Sequence, residues 1–103
     1  DRYDEAYDYI IEAYTYDPGN AAIIDSLAWA LFKTNNYSEA LGYARTAYSK
    51  DQDPEIVEHY CEILIKNGLT EEYKRIIEIE FKKNPQNIDL KNKLTSINDN
   101  DPL

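Results

Sequence analysis

Apolar side chains along this chain recur every three or four residues, the spacing that gathers them on one face of a helix. Tyr3, Tyr7, Ile10 and Tyr14 form a first stripe, and Ile24, Leu27, Ala28 and Leu31 a second. Tyr37, Ala40, Leu41, Ala44, Ala47 and Tyr48 make a third, Val57, Tyr60, Cys61 and Leu64 a fourth, and Tyr73, Ile76, Ile77 and Phe81 a fifth. Leu90, Leu94 and Ile97 give a final helix with one apolar side. The pattern predicts a lone helix, two helix pairs and a last helix, stabilised by what each buries against its neighbours.

The boundaries between stripes carry helix-end chemistry. Asp53 followed by Pro54 reads as an N-cap with proline at the first helical position, where its missing N–H costs nothing. Asn36, three residues before Glu39, predicts a capping box, and Gly68 stands where a helix must end with positive φ. Pro18-Gly19-Asn20 should stop one helix and cap the next, while Asn98–Leu103 has little to bury and is expected to fray. Tyr3–Tyr16 looks like the second half of a structural unit, so the chain is expected to be a piece of a longer protein.

The stripes repeat. Tyr3, Ala6 and Ala13 return as Tyr37, Ala40 and Ala47, 34 residues on, and Leu27, Leu31, Asn35 and Gln52 correspond to Tyr60, Leu64, Gly68 and Pro85, 33 residues on. Two helices per such period, with the Tyr-x-x-Ala…Ala…Pro pattern, resemble the tetratricopeptide repeat. The resemblance implies an all-α fold, an antiparallel helix-pair solenoid with a C-terminal capping helix. It divides a single domain, 1–103, into half a repeat at 1–20, a repeat at 21–53, a degenerate repeat at 54–87, and a capping helix and tail at 88–103. Asp25-Ser26-Leu27-Ala28-Trp29, Asp53-Pro54-Glu55-Ile56 and His59-Tyr60-Cys61-Glu62 are similar to the closing repeats of bacterial cell-envelope tetratricopeptide proteins. That likeness implies a bacterial scaffold or adaptor, periplasmic or envelope-associated rather than cytoplasmic. Ala28, Asn35 and Cys61 stand where the family commonly has glycine, and Tyr73 and Glu80 where it usually has alanine. Tyr73 in a small-residue slot is expected to push its paired helices apart unless neighbours compensate.

Charge narrows the partners. Eleven Lys/Arg against twenty Asp/Glu give a net charge of −9, which repels phosphate backbones and anionic lipid and argues against nucleic acid or direct membrane binding. No apolar run approaches the roughly 18 residues that span a bilayer. The single cysteine, Cys61, forms no internal disulfide. Ten tyrosines suit helix surfaces that bury bulk while keeping a hydroxyl near water. Tyr9 and Tyr16 fall off the apolar stripe and are expected to be exposed, where they would favour self-association of the helical array's ends.

Candidate chemistry is sparse. His59 is the only histidine, and Cys61, two residues on, points roughly 200° away around the helix. The pair makes no nucleophile and base, and Cys61 reads as a small core residue. Glu55, His59 and Glu62, at i, i+4 and i+7, could catch a divalent ion, or they are a solvated acidic face with the histidine paired to a carboxylate. The sequence calls for no cofactor and no resident metal, and it is read as non-enzymatic.

Trp29 is the remaining candidate. Ala22, Asp25, Trp29, Phe32 and Lys33 form a second stripe about 130° from the core stripe of their helix. The matching stripe one repeat later is Glu55, Glu58, Glu62, Ile65 and Lys66. The family resemblance implies that these positions line a concave groove that meets partner segments. One reading is a groove with an aromatic floor at Trp29 and Phe32 and an acidic wall at Asp25, Glu58 and Glu62, suited to a basic or amphipathic protein segment. The other packs Trp29 against a neighbouring repeat and leaves a structural cap that drives homo-oligomerisation. Acid on this stripe is also expected to repel the free C-terminal carboxylate that some tetratricopeptide domains clamp.

Overall fold

The computed structural model describes the backbone of residues 2–100 and the side chains of residues 5–97. Six helices follow in order: α1 (Arg2–Tyr16), α2 (Ala21–Lys33), α3 (Tyr37–Lys50), α4 (Pro54–Lys66), α5 (Thr70–Lys83) and α6 (Ile88–Asn100). No strand occurs among the described residues, so the fold class is the all-α helical repeat read from the stripes. Among the described residues no helix is long and apolar enough to cross a membrane. The Tyr3 side chain and the last residues of the tail, expected to fray, lie outside the described residues, although α6 itself runs to Asn100.

Most helix ends are built as their sequences dictate. The Asn20 side chain accepts from the Ile23 N–H at 3.1 Å, and Asp53 from the Glu55 N–H at 3.0 Å, with Pro54 at the start of α4. Gly68 takes a φ of +75° after α4, and Asn35 a φ of +69° after α2, a conformation asparagine tolerates better than most residues. The capping box expected at Asn36 and Glu39 does not form. Asn36 makes no side-chain cap; its Nδ2 turns back to Thr34, donating to Oγ1 at 3.0 Å. Thr34 Oγ1 in turn donates to the Ala30 and Leu31 carbonyls, so the asparagine closes the end of α2 instead of opening α3.

The chain gathers into two compact units, Asp1–Gly68 and Leu69–Leu103. In the first, α2 packs against α1, α3 and α4. Its core stripe is sealed: Ile24, Leu27, Ala28 and Leu31 are buried, Leu27 with no exposure at all, and Ala40, Ala44 and Ala47 let α3 approach closely. Ile24, Ala47 and Ile56 form a cluster flanked by Tyr14, Ala21, Tyr43 and Tyr48. On α4, Val57, Tyr60, Cys61 and Leu64 are buried as the stripe requires, joined by Ile56 and Ile63. Tyr14 meets Tyr43 edge-on, and Tyr48 leans on Tyr60, so the half-buried tyrosines fill the seams. Tyr9 and Tyr16 are 76% and 86% exposed.

In the second unit α5 packs against α6. Ile76 and Ile77 are buried, Tyr73 and Phe81 partly so, and Leu90, Leu94 and Ile97 line α6 at intermediate burial. Glu80 is also buried, with one carboxylate oxygen 3.2 Å from Lys83 Nζ.

Candidate functional site

The site grows from two helices of the first unit. Helical spacing puts Asp25, Trp29, Phe32 and Lys33 on one face of α2, and Glu55, Glu58, His59 and Glu62 on one face of α4. Because α2 and α4 pack directly, the two faces meet. Their junction is a carboxylate–imidazole pair: His59 Nδ1 lies 3.0 Å from both Oδ1 and Oδ2 of Asp25. An ionised carboxylate only accepts, so Nδ1 carries the proton and donates it. The Asp25 side chain is 8% exposed and that of His59 15%.

Two opposed effects act on the imidazole. Burial pushes its pKa down, but the Asp25 hydrogen bond, the Asp25 charge, and then Glu55 and Glu58 together push it further up, so the net shift is above the usual histidine value. His59 thereby favours its charged form, with that charge turned toward Asp25.

Trp29 sits on this pair. Its ring stacks on the His59 imidazole at 4.0 Å between centroids and 15° between planes, and on Phe32 at 4.9 Å and 22°. Phe32 in turn meets Tyr37, at the start of α3, at 5.6 Å. Four rings from three helices therefore form one continuous aromatic run, His59–Trp29–Phe32–Tyr37. Lysines stand over it: Lys33 Nζ is 4.8 Å from the Trp29 centroid and 5.9 Å from that of Phe32, and Lys66 Nζ is 5.5 Å from that of Tyr37. Trp29 and Phe32 are half-buried, whereas Lys33, Glu55, Glu58, Glu62, Ile65 and Lys66 are exposed.

The structure corrects one feature of the expected wall. Asp25 is not an open carboxylate beside Glu58 and Glu62; it is buried and its charge is taken up by His59. The exposed acids are those of α4. The 33-residue offset sets Asp25 against Glu58, and the packing of α2 on α4 instead brings the adjacent His59 to it. Trp29 itself answers to both readings: one neighbour is the histidine of the next helix pair, and part of its surface stays open.

The donor set near His59 also differs from the expected one. Asp25, Glu55 and His59 bring ligand atoms within 4.8 Å of one another, while Glu62 is not part of that group. Cys61 is 2% exposed and belongs to the buried stripe of α4, as its spacing predicts. A hollow of about 350 Å³ is lined by Tyr7, Leu31, Thr34, Asn36 and Glu39, none of them a ring of the aromatic run.

The sequence profile of the tetratricopeptide repeat matches residues 1–57. A TPR repeat-containing protein of Pseudomonas aeruginosa is 33% identical over 61 residues, which is 59% of this chain but 10% of that protein's length. The chain thus spans about a tenth of that relative. Among solved structures, the first TPR of Spaghetti (RPAP3), bound to the HSP90 peptide SRMEEVD, superposes with a TM-score of 0.79 at 22% identity, covering 95% of this chain and 79% of that one. That likeness is one of fold. Helix pairs, period and profile agree, and the chain belongs to the tetratricopeptide repeat family.

Proposed function

We propose that the chain is a non-enzymatic protein-interaction module, a scaffold or adaptor that binds a basic or amphipathic segment of a partner protein along the face of α2 and α4. The observation that carries this reading is the half-open aromatic run through Trp29 and Phe32, rimmed by the exposed carboxylates Glu55, Glu58 and Glu62. Aromatic rings in a partly desolvated recess supply binding energy, and a surface of net charge −9 draws cations toward it. Ile65, 48% exposed, offers apolar surface to an amphipathic segment. The only histidine is committed to Asp25 and the only cysteine is buried, which supports a binding rather than a catalytic role.

The peptide SRMEEVD belongs to the structural neighbour. For this chain we favour the opposite charge, because three exposed glutamates on α4 face an incoming carboxylate against two lysines. The expected repeat boundaries at 20, 53 and 87, and a periplasmic or envelope location, remain part of the proposal. The location rests on the resemblance of the Asp25–Trp29 segment alone.

Affinity capture tests the reading, with wild-type protein beside a Trp29→Ala, Glu62→Lys variant shown by circular dichroism to be folded. A protein retained by the wild type alone, and released by its own basic segment, supports the groove. Equal retention by both forms moves the binding surface elsewhere. The second reading, self-association, draws on the exposed Tyr9 and Tyr16 of α1. It predicts a concentration-dependent mass in sedimentation that Tyr9→Ser, Tyr16→Ser abolishes.

A further inference from the structure

Trp29 is approached by two side chains of very different freedom, the His59 imidazole and the Lys33 ammonium. His59 is stacked on it at 4.0 Å and tied down by two contacts to a buried carboxylate. Lys33, one turn along the same helix, is exposed and reaches its ammonium over Trp29 and Phe32. The first contact fixes the indole in place. The second occupies ring surface with a flexible chain that solvent can lift away, at a distance where the ring quadrupole attracts a cation.

We propose that Lys33 occupies the seat of a partner's arginine: the guanidinium of a basic segment displaces the Lys33 ammonium from the Trp29–Phe32 rings and is flanked by the exposed glutamates of α4. This inference rests on the groove reading and specifies the chemistry of its occupant. Arginine fits better than lysine because its planar, weakly hydrated guanidinium stacks on an aromatic face, whereas an ammonium meets it as a point charge. Asp25 does not compete for that cation, since its charge is turned to His59. Glu55, Glu58 and Glu62 recur along α4 at three- and four-residue spacing, so basic residues further along the same segment find successive carboxylates. Lys33 in this account is an internal competitor. Its removal should tighten binding, both by vacating the ring and by deleting a like charge.

The single tryptophan makes the test direct, because Trp29 fluorescence reports the seat itself. The probes are a short capped peptide of alternating arginine and alanine and its counterparts with lysine, glutamine or glutamate in place of arginine, titrated into wild type, Lys33→Ala and Lys33→Gln. The arginine peptide should perturb Trp29 most and the glutamate peptide least. Lys33→Ala and Lys33→Gln should each lower the dissociation constant of the arginine peptide by roughly two- to fivefold, the size of one exposed cation–ring contact. Lys33 is exposed, so both variants keep the fold, which circular dichroism verifies. Unchanged or weaker binding in the Lys33 variants overturns the inference, as does equal response to the glutamine peptide. The groove reading fails separately: partner capture that depends on Trp29 and Glu62 keeps the groove even if Lys33 proves irrelevant, and capture independent of both removes it.

Discussion

Replacing His59 by phenylalanine keeps a flat ring against Trp29 while deleting the Nδ1 donor, which isolates the pair with Asp25. The Asp25 carboxylate, 8% exposed, then loses the donor that faces both its oxygens at 3.0 Å. Breaking a fully buried ion pair costs about 3–5 kcal/mol, and a hydrogen bond to a charged group contributes about 1.5–3 kcal/mol. His59 at 15% exposure leaves water some access, so the lower range applies, and the expected loss is about 2 kcal/mol. For a chain of this size that lowers the melting temperature by roughly 8–16 °C. Asp25→Ala should cost less, since an imidazole freed of its partner can shed its proton. Urea unfolding followed by Trp29 fluorescence reports the α2–α4 junction without assuming that both compact units unfold together. The double variant completes a cycle whose coupling should be about 1.5 kcal/mol or more. A coupling below about 0.5 kcal/mol would mean that the contact contributes nothing beyond its surroundings and would refute the argument.

Further outcomes follow from the same structure. Leu27→Ala and Leu64→Ala, both at side chains with no exposure, should each cost on the order of 2–5 kcal/mol in urea unfolding, and unchanged melts would contradict the core assigned here. The folded pKa of His59 lies above its unfolded value, so its stabilisation is fully present below about pH 6.5 and is lost as pH rises through the raised value. The stability difference between wild type and His59→Gln should therefore shrink on going from about pH 6 to about pH 9, and a difference that grows would reverse the sign of the shift. Asn20→Ala should lose about 1 kcal/mol of stability through its cap to Ile23, and more than Asn36→Ala loses, as the Asn36 side chain accepts from no N–H of α3. A peptide ending in Glu-Glu-Val-Asp should show no micromolar binding in calorimetry, because it meets the exposed glutamates of α4.

The helices were legible because each needs only a local stripe. Leu27, Leu31, Cys61 and Leu64 are buried where three- and four-residue spacing places them, and Gly68 bends where a helix must end. Asn36 was not legible as it stands, since an asparagine before a helix has the same sequence signature whether it caps forward or closes the turn behind it. Its neighbour Thr34 decides, by offering Oγ1 at 3.0 Å. The candidate site was half legible. Trp29, Phe32 and Lys33 fall on one stripe by counting, but the Asp25–His59 pair joins residues 34 apart whereas the first-helix marks repeat every 33, so a strict offset sets Asp25 against Glu58. Which of two adjacent α4 residues faces Asp25 depends on the helix–helix packing, not on periodicity. Glu80 likewise occupies a slot where the family resemblance suggests alanine, and only the fold shows it buried beside Lys83.

The central claim is that the α2–α4 face around Trp29 is a seat for basic segments. Selection of a displayed random-peptide library on wild-type protein, repeated on the folded Trp29→Ala, Glu62→Lys variant, tests it most directly. The account predicts enrichment of arginine-containing sequences on the wild type that disappears on the variant. Enrichment of acidic or free-carboxylate sequences, or the same basic sequences recovered from both proteins, would contradict it.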